Sequence, residues 1–192
     1  PKAVSYVDIL TGRATAGRRV AIVGAGGIGF DVAEFLSPRN GGPEILRFNR
    51  EWGIDSNLSS RGGVKGIQPE PEKTERQIFL LQRKESKPGK GLGKTTGWIH
   101  RRELAMRGVE AMAGVTYERI DDQGLHVRVA EAARIIPADT VVICAGQEPL
   151  RELQQGLEES GIEYSLVGGA CEARELDAKR AIDQATRTAA AL

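Results

Sequence analysis

The sequence predicts an α/β fold with a central parallel sheet and added antiparallel strands. Three observations carry that prediction. First, the runs Val20–Val23, Ile78–Leu81 and Val141–Cys144 are apolar throughout, as strands buried on both faces of a parallel sheet are. Second, the first two are each followed by a glycine-rich loop and a stretch with helical spacing. Third, Leu125–Val129 alternates, as a half-buried antiparallel pair does.

Composition narrows the classes. The 192 residues are 40% hydrophobic and 28% charged, the profile of a globular chain rather than a disordered or fibrous one. A net charge of +1 gives no bulk field toward nucleic acid or a membrane surface, and neither is expected as a partner. No apolar run reaches the ~18–20 residues of a membrane span, and no signal peptide opens the chain, so a cytoplasmic location is expected. The two cysteines, Cys144 and Cys171, lack partners at metal spacing and read as reduced, structurally placed thiols. Pro1 in place of methionine fits a processed chain or a piece of a longer one.

Taken in order, "VSYVDILTGRATAGRR" reads as a short helix and a polar turn. Val20–Val23 is the first buried strand. In the helix after it, Ile28, Val32 and Phe35–Leu36 share one face, and Ser37, Pro38, Asn40 and a glycine pair end it. From about 40 to 76 glycine, proline and charge surround isolated apolar residues such as Trp52, Ile54 and Leu58. So long a loop reads as an insertion that packs on something or covers a site, or as a linker. Ile78–Leu81 is the second strand, and "TTGWIHRRELAMR" the second helix. Several strands follow, with turns at Ala113-Gly114 and Asp122-Gln123-Gly124. Val141–Cys144 is the last buried strand. Beyond Gly146, Leu150–Ser160 reads as helix, Ser165–Val167 as a short strand, and Glu172–Leu192 as a long alanine-rich helix.

The first glycine loop, Gly24-Ala25-Gly26-Gly27-Ile28-Gly29, fits G-x-G-x-x-G between a strand and a helix, the context that a dinucleotide-binding turn requires. Gly24 permits the tight turn, Gly26 lets backbone approach a pyrophosphate, and Gly29 allows close helix–strand packing. Unpaired N–H groups at the helix start then face the phosphates, aided by the helix dipole. This makes the predicted domain Rossmann-like.

The residue after the second strand selects the cofactor. An acid there binds the ribose 2′-hydroxyl of NAD; a cation accommodates the 2′-phosphate of NADP. The usual interval of about 20 residues reaches only the irregular insertion. At the end of the next strand the sequence is Gln82-Arg83-Lys84-Glu85-Ser86-Lys87. Arg83 can pair bidentately with a phosphate, and Lys84 and Lys87 add point charge. Glu85 is discordant, but the set favours NADPH over NADH.

The loop that follows ends in Gly93-Lys94-Thr95, like the tail of a nucleotide triphosphatase loop. The full pattern needs glycine five residues before Gly93. That position is Pro88, which has no N–H and a fixed φ. The loop therefore reads as the edge of a 2′-phosphate pocket. His100 and His126, the only histidines, read as structural or surface residues, and Asp121-Asp122 as turn chemistry. Trp98 suits stacking on a cofactor ring or core packing equally.

The stretches "RVAIVGAGGIGFDVAEFLS", "NREWGIDSNL", "LLQRKESKPGKGLGKTTGWIHR", "GVTYERIDDQGLHV" and "VVICAGQEP" together resemble the C-terminal part of the bacterial NADPH-dependent 2,4-dienoyl-CoA reductases. The resemblance spans nearly the whole chain. It implies a full-length protein with an N-terminal barrel holding FMN and a 4Fe-4S cluster, then an FAD domain interrupted by an NADPH domain. Electrons would pass from NADPH to FAD, through the cluster to FMN, and to the dienoyl thioester during unsaturated fatty acid oxidation. On this resemblance, 1–144 is the NADPH-binding domain and 145–192 a C-terminal fragment of the FAD domain. The barrel and the first half of the FAD domain are partners outside this sequence, and the acid–base residues for the acyl substrate lie in that barrel, so no catalytic residue and no metal ligand is assigned here.

Residue by residue, the resemblance places Gly24–Gly29 on the pyrophosphate, Arg83, Lys84 and Lys87 on the 2′-phosphate, and Trp98 beside the cofactor. Ala145-Gly146-Gln147 matches the return crossing into the FAD domain. "LVGGACEARELDAKRAI" matches a turn and helix that contact FAD through Gly168, Gly169 and Ala170. In the wider flavin disulfide-reductase-like group an aspartate usually follows the first glycine of that turn; Gly169 stands there. Two alternatives stay open: a related flavin oxidoreductase of the amine dehydrogenase kind, and a non-catalytic dinucleotide-sensing module.

Overall fold

The computed structural model describes residues 2–37, 44–59, 61–63, 66–174 and 177–192. The chain divides into two compact units, Pro1–Ala145 and Gly146–Leu192.

The first unit runs β1 (Ala3–Ser5), α1 (Tyr6–Leu10), β2 (Arg19–Val23), α2 (Gly27–Leu36), α3 (Glu44–Trp52), β3 (Gln77–Leu81), α4 (Gly97–Met106), β4 (Glu110–Met112), β5 (Val115–Asp121), β6 (Gly124–Val129), β7 (Ala132–Pro137) and β8 (Thr140–Ile143). Five strands form a parallel sheet in the order β1-β8-β2-β3-β4, and β5-β6-β7 form a separate antiparallel sheet. This is the α/β class that the apolar runs predict.

Strand alternation builds two cores. Val20, Ile22, Ile78, Leu80 and Val142 point to one face, where Ile9 of α1, Phe30, Val32, Ala33 and Leu36 of α2, and Leu104 of α4 cover them. Ala21, Phe79, Leu81 and Val141 point to the other, against Val115, Leu125, Val127 and Ile136 of the antiparallel sheet. The parallel sheet is thus buried on both sides, which is why its strands read as unbroken apolar runs. Each fully buried aliphatic side chain contributes about 1.5–3 kcal/mol.

The switch in strand order lies between β2 and β8. The chain steps outward from β2 to β3 and β4, then returns to insert β8 between β2 and β1. Ligands of open α/β sheets bind beyond the carboxyl ends of the strands at such a point. The first glycine loop leaves β2 there.

Four elements differ from the sequence-based expectation. Ala3–Ser5 is an edge strand ahead of α1, where the sequence suggested helix alone; the helix starts late because the Ser5 side chain accepts the Asp8 N–H at 3.1 Å as its N-cap. The supposedly irregular 40–76 stretch contains α3. Among the described residues, Ser165–Val167 pairs with no strand and is irregular. The C-terminal helix begins at Ala178 rather than Glu172, because Asp177 caps it by accepting the Arg180 N–H at 2.7 Å. The breakers Pro38 and Asn40 and the glycine pair lie outside the described residues.

The second unit holds α5 (Gln154–Glu159), a 3-10 turn at Gly168–Ala170, and α6 (Ala178–Ala190). Among the described residues no helix is long and apolar enough to cross a membrane.

Candidate functional site

The glycine loop fits together as its spacing demands. Gly24 has φ +111°, and a β-carbon there would stand 2.8 Å from the Cys144 carbonyl oxygen and 3.2 Å from Ala145 Cβ. The end of β2 therefore packs flush against the end of β8. A β-carbon on Gly29 would meet the Gly24 oxygen at 1.8 Å, so only glycine lets α2 start this close to the strand. Gly26 and Gly27 are the opposite case: both are exposed, and a β-carbon on either would have nothing within 4 Å. Gly26 caps α2 without a side chain, and the first N–H to bond back into the helix is that of Phe30, to Gly26 O at 3.1 Å. The N–H groups before it stand at a positive helix end over open space. The backbone at Gly26 and Gly27 is thus open to an anion, with no side chain in the way.

The basic loop after β3 docks on this turn. Gly89 N–H donates to Ala25 O at 3.3 Å. Gly89 has φ +72°, and a β-carbon on it would lie 2.7 Å from Phe30 Cζ. From α4, Arg101 Nη1 donates to Gly89 O at 2.8 Å. Within the loop, Lys90 N–H bonds Lys87 O and Gly97 N–H bonds Gly93 O, at 3.1 and 2.7 Å.

Beside the loop opens a cavity of about 470 Å³. Phe30, Leu80, Leu104 and Val109 are among its apolar walls, and Lys87, Trp98, Arg101 and Arg102 also line it. The structure thus brings Lys87 and Trp98 together. It adds Arg101 and Arg102, which the sequence reasoning missed. Their signal was spacing: from Trp98 they fall at i+3 and i+4, on one helical face. Trp98 is 54% exposed and meets Trp52 of α3 edge-on, with ring centroids 6.0 Å apart. Phe48 extends this aromatic row, 5.8 Å from Trp52. The insertion therefore reaches the site.

Arg83 and Lys84 are exposed just beyond β3 and do not line the cavity. The Lys84 backbone is held by the next turn, its carbonyl accepting Gly114 N–H at 3.1 Å and Gln82 Nε2 at 2.9 Å. Arg83 lies near Tyr117 of β5. Burial pushes the Tyr117 phenol up to about 12, against the smaller opposing pull of the Arg83 charge.

Between α2 and α4, Glu34, His100 and Glu103 gather with ligand atoms within 4.8 Å of one another. The buried Arg107 guanidinium lies 3.9 Å from both carboxylates and also donates to Ser37 O at 3.1 Å. A cation is already in place, so the group reads as an ion-pair network joining α2 and α4.

Ala145 closes the first unit and packs on Gly24. Gly146, with φ +84°, and Gln147 open the second unit, and both are exposed. In that unit Gly168, Gly169 and Ala170 form the 3-10 turn. Gln184 of α6 accepts Gly168 N–H at 2.8 Å, and Arg151 donates to Ala170 O and Cys171 O at 2.7 and 2.8 Å. Asp177 occupies the N-terminus of α6.

Comparison with known proteins adds the lineage. The family model for pyridine nucleotide-disulphide oxidoreductases matches residues 4–171. A metal reductase of Desulforamulus reducens is 28% identical over 186 residues, covering 91% of this chain and 25% of that protein. In solved structures, a 2-naphthoyl-CoA reductase in complex with 2-naphthoyl-CoA aligns at TM-score 0.64 and 20% identity, over 95% of this chain and 22% of that one. The 6-hydroxypseudooxynicotine amine oxidase of Pseudomonas geniculata aligns at 0.63 and 18%, over 97% and 23%. At these identities the structural likeness speaks for the fold. The chain spans about a quarter of the length of each of these relatives.

Proposed function

The chain belongs to the pyridine nucleotide-disulphide oxidoreductase family, and on that premise we propose that it is the NADPH-binding portion of a longer flavin-dependent reductase. The finer reading is a 2,4-dienoyl-CoA reductase, acting on CH–CH bonds of unsaturated acyl-CoA. The observation that carries the nucleotide assignment is the docking of the basic loop on the glycine turn through Gly89 and Ala25. It sets a cationic loop beside a pyrophosphate seat, where a third phosphate distinguishes NADPH from NADH.

The reduced nicotinamide, when bound, supplies hydride to a flavin. The chain's own residues bind and orient. The open N–H groups at Gly26–Gly29 hold the pyrophosphate. Lys87, joined by Arg83 and Lys84 after β3, reads the 2′-phosphate, while Trp98 gives a ring face for the base. In the second unit, the Gly168–Ala170 turn would contact FAD through backbone, since Gly169 brings no carboxylate. Asp177, which already fills the start of α6, makes that helix end a poor anion seat. The two cysteines are too few to hold a 4Fe-4S cluster, so a dienoyl-CoA reductase of the proposed kind would carry its cluster, FMN and acyl site outside this chain.

A second reading is favoured by the likeness to a metal reductase: the same NADPH and flavin half, with a metal ion as final electron acceptor. Calorimetric titration of the chain with NADPH and NADH tests the shared part. NADPH binding tighter than NADH, with little stable FAD, is expected; equal affinities refute the 2′-phosphate assignment. Assay of the full-length protein with a dienoyl-CoA and with a metal ion then separates the two acceptors.

A further inference from the structure

Arg101 sits in α4, outside the run of cations that follows β3. We propose that it is a positioning residue for 2′-phosphate recognition, holding the basic loop on the glycine turn and so fixing where Lys87 stands. The inference rests on the dinucleotide reading above.

The geometry concerns one residue, Gly89. Its N–H is held by Ala25 O at 3.3 Å, and its carbonyl by Arg101 Nη1 at 2.8 Å. Leu92 N–H donates to the same carbonyl at 3.1 Å. Gly89 is therefore gripped from the turn on one side and from α4 on the other. Its missing side chain leaves no slack, because a β-carbon would meet Phe30 Cζ at 2.7 Å and Leu92 Cδ1 at 2.9 Å.

Lys87 lies two residues upstream, across Pro88. Proline fixes φ, so the backbone between the gripped residue and Lys87 has few free torsions. The turn closes again where Lys90 N–H bonds Lys87 O at 3.1 Å. Lys87 and Arg101 line the same cavity. A guanidinium suits the task better than an ammonium. Its planar fork carries further N–H donors while one nitrogen holds Gly89.

A residue that merely stabilised α4 would affect both nucleotides alike. One that sets Lys87 affects only the nucleotide with the 2′-phosphate. The test is calorimetric titration of the wild-type chain, Arg101→Ala and Arg101→Lys with NADPH and NADH, with thermal melting alongside. The expected result for Arg101→Ala is an NADPH-to-NADH affinity ratio lowered about tenfold, through NADPH alone, with partial recovery on adding guanidinium ion. Arg101→Lys should fall between the two. An unchanged ratio, or equal weakening of both nucleotides, overturns the proposal. If Arg101→Ala does not fold, Arg101→Gln, which keeps one donor, replaces it under the same criterion. Equal affinities in the wild type would refute the 2′-phosphate reading itself, and this role with it; a full preference retained in Arg101→Ala refutes this role alone.

Discussion

The α-carbon of Gly29 lies so close to the carbonyl of Gly24 that a β-carbon would stand 1.8 Å from that oxygen. Helix α2 and strand β2 can adjoin only through glycine at this place. Gly29→Ala should therefore cost on the order of 3 kcal/mol or more, seen as a lower urea midpoint. Gly26→Ala should behave differently. Its site is open and its φ is −84°, so the loss should be at most about 1 kcal/mol, while the new methyl group obstructs the pyrophosphate and nucleotide titration fails. If Gly26→Ala binds NADPH normally, the pyrophosphate is not there.

Arg83→Ala should weaken NADPH binding by about 1–3 kcal/mol, the scale of a lost charge-assisted pair, and barely change NADH. The same titration gives both numbers. Because Arg83 does not line the cavity with Lys87, an unchanged NADPH affinity would move recognition of the third phosphate to the Lys87, Arg101 and Arg102 side.

Acid should loosen the first unit at two ends of its sheets. A side-chain hydrogen bond from Arg19 holds the Asp139 carboxyl down at about 2, and one from His126 does the same for Asp121. Both folded-state values lie below the unfolded one, so each contribution is present above the ordinary carboxylate range, near pH 4, and disappears as pH falls toward 2. In urea titrations at stepped pH, Asp139→Asn should flatten part of the decline between pH 4 and 2. An unaltered slope would mean that the Arg19 pair is not coupled to folding.

Cys144 should resist thiol reagents in the native state. It is 9% exposed, and burial pushes its thiol up to about 12, leaving almost no thiolate at pH 8. Cys171 is partly exposed. One thiol is expected to react quickly under native conditions and the second only in denaturant; rapid reaction of both would show that β8 opens.

Much of the first unit was legible because burial on two faces erases polar residues. Val20–Val23, Ile78–Leu81 and Val141–Cys144 read as strands for that reason alone. Ala3–Ser5 was not legible, since three residues at a sheet edge carry too little pattern. In α3 the residues Ile45, Phe48 and Trp52 have helical spacing, but Ile45 is 64% exposed and polar neighbours masked the period. Around the site, Gly24–Gly29 could be read because neighbours in sequence are neighbours in space. The Gly89–Ala25 bond joins distant segments, and no local pattern announces it. Arg101 is in sequence one charge among several on a helix, and only its bond to Gly89 sets it apart.

The strand order β1-β8-β2-β3-β4 also has a consequence for how the chain is made. The strand synthesised last fills the gap between the first two. Until residues 140–143 leave the ribosome, β1 has no partner and one flank of β2 is bare, since Val20–Val23 pair with Thr140–Ile143 and Ala3–Ser5 with Val141–Ile143. The sheet can be completed only by a contact between the extremes of the first unit, the kind of closure that slows folding and leaves an edge exposed meanwhile. The turn at Gly24 gains its contact with Cys144 and Ala145 only at that same moment, so the glycine loop proposed to hold the pyrophosphate is not fully backed until the sheet is whole.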